Sequence, residues 1–175
     1  MLKSVSERAG VKILLAQKAF SCYDLYPLVA EFLCGTTSSG LYEARLAHEE
    51  MPGKENHVFA PAFREEDMDE LLGLVNHIVF NSPRHVEKFG AAAKARGVSV
   101  GLRVNPEVSV ATTPAYDPCR PGSRLGTTRT TLNSQPSTLN PLDGLHFHCL
   151  ASKALRSCAR CSLDSSKSSA ICFRA

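Results

Sequence analysis

The sequence predicts an α/β protein, an incomplete (β/α)8 barrel of about six βα units. Three observations predict it. Short runs rich in β-branched and aromatic residues alternate with amphipathic helical stretches from Val11 to His148. The first strand run is apolar on both faces, as in a parallel strand covered on both sides. The notable polar residues fall at the C-terminal ends of strands: Lys18, Thr36 and Thr37, Asn81 and Ser82, Arg103 and Asn105, and His148. The alternation also fits a doubly wound sheet. The polar strand ends favour the barrel, because barrels build their sites on that face. A closed barrel takes about 250 residues, so 175 residues are expected to leave it open.

Residues 2–9 read as a helix end stopped at Gly10. Residues 11–16 read as the first strand, with Leu14, Ala16 and Lys18 on one face and Ile13 and Leu15 on the other. Ser21 is placed to cap a helix in which Leu25, Leu28, Val29, Phe32 and Leu33 keep helical spacing. Residues 35–40 form a short polar strand or loop, and a helix follows from Leu41 to about Glu50. Residues 57–60 are a strand stopped by Pro61. In the next helix Met68, Leu71, Leu72 and Val75 form one apolar stripe, with acids in the first turn.

Residues 77–80 are a strand. Asn81-Ser82-Pro83 then opens a helix whose inner stripe is Val86, Phe89 and Ala93. Residues 98–104 are a strand ended by Asn105-Pro106. A long loop rich in Thr, Pro and Gly runs from Glu107 to Gly126, a length expected of functional or disordered segments. Residues 143–148 are the sixth strand.

Composition narrows the class. Hydrophobic residues make up 43% and charged residues 21%, ordinary for a globular protein. No apolar run approaches the roughly 18 residues of a membrane helix, and the first residues lack the apolar core of a signal peptide. The expectation is a cytoplasmic protein that does not engage a membrane. Seven cysteines at irregular spacings argue against a disulfide framework. The last 25 residues hold five cations (Lys153, Arg156, Arg160, Lys167, Arg174) and one acid, Asp164. The total of +3 therefore leaves residues 1–150 at −1. The basic balance comes from the tail and gives no reason to expect nucleic-acid binding by the body.

Lys18 ends an apolar strand. A lysine at the mouth of an apolar pocket is the usual covalent anchor for pyridoxal 5′-phosphate (PLP), because burial lowers the amine pKa and frees a nucleophile. A surface lysine just past a strand end has the same sequence. Arg103 reads either as a cofactor contact or as an ion pair inside the barrel. His146 and His148 share a strand face. Metal binding by them competes with a satisfied strand-end histidine, which is favoured. Arg124 follows a Gly-Ser turn and has no assigned role. A lone Cys158-Ala-Arg-Cys161, with Cys172 beyond it, is a weak zinc or redox signal without a second pair. No metal site is expected.

Several blocks together resemble the carboxynorspermidine (carboxyspermidine) decarboxylases, PLP-dependent enzymes of the alanine-racemase fold. They are Lys-Ala-Phe-Ser (18–21), Gly-Thr-Thr-Ser-Ser (35–39), Phe-Ala-Pro-Ala-Phe (59–63), His-Ile-Val-Phe-Asn-Ser (77–82), Gly-Leu-Arg-Val-Asn-Pro-Glu (101–107), Tyr-Asp-Pro-Cys-Arg-Pro-Gly-Ser-Arg-Leu-Gly (116–126) and Gly-Leu-His-Phe-His (144–148). The resemblance runs in order over roughly residues 2–150. It implies a polyamine-biosynthetic lyase that decarboxylates carboxynorspermidine or carboxyspermidine to norspermidine or spermidine. It also implies PLP on Lys18, with Arg103 and His148 beside the cofactor, and a two-domain homodimer whose sites draw on both subunits. Diaminopimelate decarboxylase-like chemistry and a non-catalytic PLP-binding barrel are the alternatives.

The resemblance stops near residue 150. The family has a further strand before the opening helix, and after the match to His148 it continues with one residue, Leu, then Cys-Glu-Gln. Here Cys149-Leu150 is followed by Ala151-Ser152-Lys153. With permitted codons the neighbouring frame of the tail reads Cys-Glu-Gln and then an amphipathic helix. Two segments are therefore expected: residues 1–150, a partial PLP-binding barrel lacking the β-domain, and residues 151–175, an out-of-frame, disordered tail. Such a fragment is expected to lack activity alone, since the family draws its ring-nitrogen acid and Gly-rich phosphate loop from later sequence.

Overall fold

The computed structural model describes residues 1–108 and 114–149 and the backbone of Ala170–Phe173. The chain divides into two units. Met1–Ile78 and Ala95–Val98 form the first, and Val79–Lys94 and Ser99–Ala175 the second.

The first unit contains α1 (Leu2–Ala9), β1 (Leu14–Ala16), α2 (Tyr26–Ala30), β2 (Gly35–Ser38), α3 (Leu41–Glu50), β3 (Glu55–Phe59), α4 (Glu65–Leu74) and the start of β4 (His77–Phe80). Its strands lie in the order β1-β2-β3-β4, with β1–β2 and β2–β3 parallel. A parallel pair needs a crossover between its strands, which α2 and α3 provide. α1 stops where expected, because Gly10 takes the left-handed conformation at φ 62°. α4 carries Glu65, Glu66 and Asp67 in its first turn, where carboxylates oppose the positive helix end. Its expected stripe, Met68, Leu71 and Leu72, is buried, as is Val75 just past its end.

Two expectations fail at the start of this unit. β1 spans three residues, not six; Leu14 and Leu15 are half-buried and Ala16 is exposed. β1 lies at the end of the strand order in this unit, so it has one neighbour and less cover than a central strand. Ser21 does not cap the second helix. A 3-10 turn over Tyr23–Leu25 intervenes, and α2 begins at Tyr26 with no side-chain cap. The reason is Pro27, which lacks an N–H and is suited to the first helical turn, so the helix starts there. The chain is helical for only five residues, and Leu25, Leu28 and Phe32 are left 45%, 54% and 49% exposed.

The second unit holds the rest of β4, α5 (Pro83–Ala95), β5 (Ser99–Asn105), a 3-10 turn at Pro114–Tyr116, β6 (Thr127–Thr128), α6 (Arg129–Ser134), a 3-10 turn at Pro136–Leu139, β7 (Gly144–Phe147) and the strand backbone β8 (Ala170–Phe173). The order is β4-β5-β7-β8, with β6 also pairing β5. β5 is parallel to both β6 and β7; β8 is antiparallel to β7. The expected stripe of α5, Val86, Phe89 and Ala93, is buried, and Phe89 stacks on Phe80 at 6.2 Å. Asp143 ties β7 to β5: its backbone N–H donates to the Val100 carbonyl and its carboxylate accepts from the Val100 N–H, both at 2.8 Å. Lys94 pairs with the same carboxylate. β6 and α6, which follow the expected long loop, carry little hydrophobic signal. α6 is held at its start by Thr128 Oγ1, which accepts from the Thr131 N–H at 3.3 Å. The tail expected to be out of frame lies outside the described residues, apart from the β8 backbone. Cys158 and Cys161 are outside them as well.

Candidate functional site

In the first unit the chain turns sharply after β1, and Lys18 sits in that turn, exposed. The turn is pinned by its neighbour. Gln17 is 1% exposed and all its polar groups are engaged. Its backbone N–H donates to the Thr37 carbonyl (3.2 Å), and its amide nitrogen donates to Ser38 Oγ (2.8 Å) and the Glu43 carbonyl (3.0 Å). Its amide oxygen accepts from the Tyr26 hydroxyl (3.1 Å). Ser38 donates onward to Asn56 Oδ1 (3.0 Å), and the Asn56 amide caps the Ala44 and Leu74 carbonyls. A buried, satisfied network of this kind fixes backbone direction, because each broken link would strand a polar group. It therefore aims the C-terminal end of β1 and presents the Lys18 amine to solvent. The apolar burial expected for Lys18 is not supplied by the described residues, since β1 is an edge and α2 is too short to cover its end.

In the second unit Arg103 lies on β5 in register with His146 on β7. Arg103 is 6% exposed, and burial presses its guanidinium pKa downward, offset in part by the Cys119 and Cys149 thiols. His146 is half-buried, and its pKa is pushed down to about 3 by burial first and then by Arg103 and His148. It is therefore a neutral imidazole at neutral pH. His148, just past the strand end, is exposed. Its carbonyl lies 3.5 Å from the Cys119 sulfur. The Cys119 and Cys149 thiols are buried and share a hydrogen bond that holds Cys119 protonated and lowers Cys149, with Arg103 favouring the Cys149 thiolate against burial. Of the three residues singled out in the sequence, Arg103 and His148 thus gather around His146, while Lys18 belongs to the first unit.

The segment before β6 is anchored by Asn81 at the end of β4. Its amide oxygen accepts from the Gly126 N–H (2.8 Å), its amide nitrogen donates to the Arg124 carbonyl (2.9 Å), and its carbonyl accepts from Thr127 Oγ1 (3.1 Å). Gly126 has to be glycine: φ is +82°, and a Cβ would meet Asn105 N and Val104 C at 2.9 Å. Asn81→Ala removes two of the three bonds. It is expected to cost about 1 kcal/mol and to raise the rate of proteolysis near Arg124, read by timed digestion and mass spectrometry. Sequence reading marked Asn81 as a strand-end polar residue and missed what it holds. The buried roles of Gln17 and Cys149 were not foreseen, since nothing in their local pattern marks them.

No family model matches the chain. It is 42% identical over 154 residues to carboxynorspermidine/carboxyspermidine decarboxylase from Campylobacter jejuni, covering 88% of this chain and 39% of the relative. It is 40% identical over 126 residues to carboxyaminopropylagmatine decarboxylase from Synechocystis, covering 72% of this chain and 32% of that protein. Among solved structures it is similar to Campylobacter jejuni carboxynorspermidine decarboxylase complexed with norspermidine, at a TM-score of 0.77 and 37% identity over 91% of this chain and 39% of that one. The chain thus spans about two fifths of the length of the relative it matches over most of its residues. Over that span it is a homologue of the carboxynorspermidine/carboxyspermidine decarboxylases.

Proposed function

We propose that this chain is part of a PLP-dependent carboxy-lyase acting on carboxylated polyamines, with Lys18, Arg103 and His148 as cofactor-binding residues. The observation that carries the reading is 42% identity to a carboxynorspermidine/carboxyspermidine decarboxylase over 88% of the chain. Taken one by one, the donors have the chemistry the cofactor needs, although among the described residues Lys18 lacks the apolar burial that would activate its amine. Lys18 offers an exposed amine on a turn fixed by Gln17, and Arg103 offers a buried cation for an anionic partner. The exposed His148 imidazole offers a flat face for an aromatic ring. When bound, PLP supplies the electron sink that accepts the pair left behind by departing CO2. Lys18 Nζ is the attachment point and then the group that returns a proton to the substrate carbon. Arg103 fixes positive charge beside His146 and, after burial, helps hold that imidazole neutral. The 40% identity to carboxyaminopropylagmatine decarboxylase supports the class, a polyamine bearing a carboxyl group, rather than one member of it.

The remaining parts of the reading rest on the family resemblance and on the composition of the tail. The whole enzyme is a cytoplasmic homodimer, and this chain alone releases no CO2 from carboxynorspermidine. Residues 151–175 are an out-of-frame stretch, which resequencing the coding DNA across codons 145–180 tests directly. The binding test uses the 175-residue chain. PLP is added, the attachment is fixed with borohydride, and peptides are mapped by mass spectrometry. Label concentrated on Lys18 and lost in Lys18→Ala is the expected result. Label spread evenly over surface lysines, unchanged in the variant, would contradict it.

A further inference from the structure

We propose that Glu55, His57 and His77 form a site for one divalent transition-metal ion of the zinc class at the N-terminal ends of β3 and β4. Glu55 and His57 are alternate residues of β3, so their side chains leave the same face. His77 opens the neighbouring strand β4, and its ring stacks on His57 at 4.0 Å with 19° between planes. Glu55 Oε2 lies 3.0 Å from His57 Nε2 and 4.0 Å from His77 Nε2. One donor atom from each residue lies within 4.8 Å of the other two. A tetrahedral ion with bonds of about 2.0–2.1 Å holds its ligand atoms about 3.4 Å apart. To reach that geometry the two stacked rings must turn so that their nitrogens converge on one ion, and His77 must close on Glu55 from 4.0 Å. The fourth position is left for water.

The chemistry of the donors selects the ion. Two imidazoles and one carboxylate suit zinc, cobalt, nickel or copper and not calcium or magnesium, which take oxygen shells. Burial lowers the His57 pKa, so its nitrogen is an unprotonated donor at neutral pH. Burial raises the Glu55 pKa, but hydrogen bonds from Lys12 and His57 outweigh it, so Glu55 is held as a carboxylate. Lys12 pairs with the other carboxylate oxygen, Oε1. Lys12 is 63% exposed and can swing into solvent when an ion takes up the negative charge. The register Leu14↔Gly35↔Glu55 sets this cluster at the strand starts, whereas Lys18 follows the end of β1. The ion would therefore tie β3 to β4 at the end away from the lysine, a stabilising role rather than a part in decarboxylation.

The test uses the 175-residue chain with Cys158, Cys161 and Cys172 replaced by Ser, so that tail thiols cannot bind. After chelation, Zn2+ is titrated by calorimetry and unfolding is followed with and without the ion. One equivalent bound and a raised unfolding midpoint are expected. Co2+ should give a visible spectrum without thiolate charge transfer. Glu55→Gln and His77→Asn should each weaken binding at least tenfold, the size of effect seen even for outer-shell partners. Lys12→Met, an exposed change that should not threaten folding, should tighten binding by removing the competing cation. No bound zinc, binding unchanged in Glu55→Gln and His77→Asn, or no gain in Lys12→Met would overturn the site and leave a carboxylate-closed histidine stack.

Discussion

Gly35→Ala is expected to destabilise the first unit by about 3 kcal/mol or more, the upper end of what an added methylene normally costs. A Cβ built on Gly35 overlaps the Glu55 carbonyl oxygen and lies 2.7 Å from its carbon and 2.8 Å from the Glu55 nitrogen. All three atoms are backbone of the paired strand, so no side-chain rotation can relieve the clash, and β2 must move away from β3. That movement would take Thr37 from the Gln17 N–H and Ser38 from the Gln17 amide, releasing the turn that carries Lys18. Gly73→Ala is the control. Gly73 lies in α4 with nothing within 4 Å of its Cβ position, so alanine there should stabilise by about 0.5–1 kcal/mol. Urea unfolding of the two variants should move the midpoint in opposite directions. A Gly35→Ala midpoint equal to that of the unsubstituted chain would show that β2 and β3 are not packed at this distance. If the variant stays folded, PLP labelling of Lys18 should fall along with stability.

Most of the fold was legible because its signals are local. The stripes of α4 and α5, the glycine stop after α1 and the βα alternation each need only a few residues of sequence. Where the reading failed, the deciding term was tertiary or steric. An apolar run at 11–16 looks buried on both faces until it is placed at the edge of a sheet. Helical spacing from Leu25 to Leu33 says nothing about whether a partner exists to cover it, and Pro27 moves the start in any case. The site divides in the same way. Arg103 and His148 carry sequence signals as strand-end polar residues, and β5–β7 pairing brings Arg103 beside His146. Partners that hold the site in place lie far off in sequence, 21 residues for Gln17 with Ser38 and 45 for Asn81 with Gly126, and only pairing register reveals them. The Glu55, His57 and His77 cluster shows why a spacing search missed it, since its third member comes from the neighbouring strand.

Acid should unfold the second unit through His146. Its folded pKa of about 3 lies below the ordinary 6.5, held there by burial first and then by Arg103 and His148. Between these values the unfolded chain binds a proton that the folded chain refuses, so stability falls as pH falls, by about 1.4 kcal/mol per pH unit at most. The contribution is intact above pH 6.5. By pH 5 about 2 kcal/mol of it is lost. Many small domains have only about 5–15 kcal/mol in total. His57 in the first unit is depressed in the same direction by its own burial, so acid sensitivity alone would not identify the residue. The difference between the unsubstituted chain and His146→Gln does. Glutamine keeps a polar side chain beside Arg103 but takes up no proton. Denaturant unfolding at pH 7 and pH 5 should show the unsubstituted chain losing about 2 kcal/mol more than the variant. Equal losses would mean that His146 is protonated in the folded chain, its imidazolium accommodated next to the Arg103 guanidinium. The consequence reaches the proposed cofactor site. Arg103 is the register partner of His146, so the protonation that expels one from β7 also loosens the other on β5, and PLP retention should fall over the same pH range.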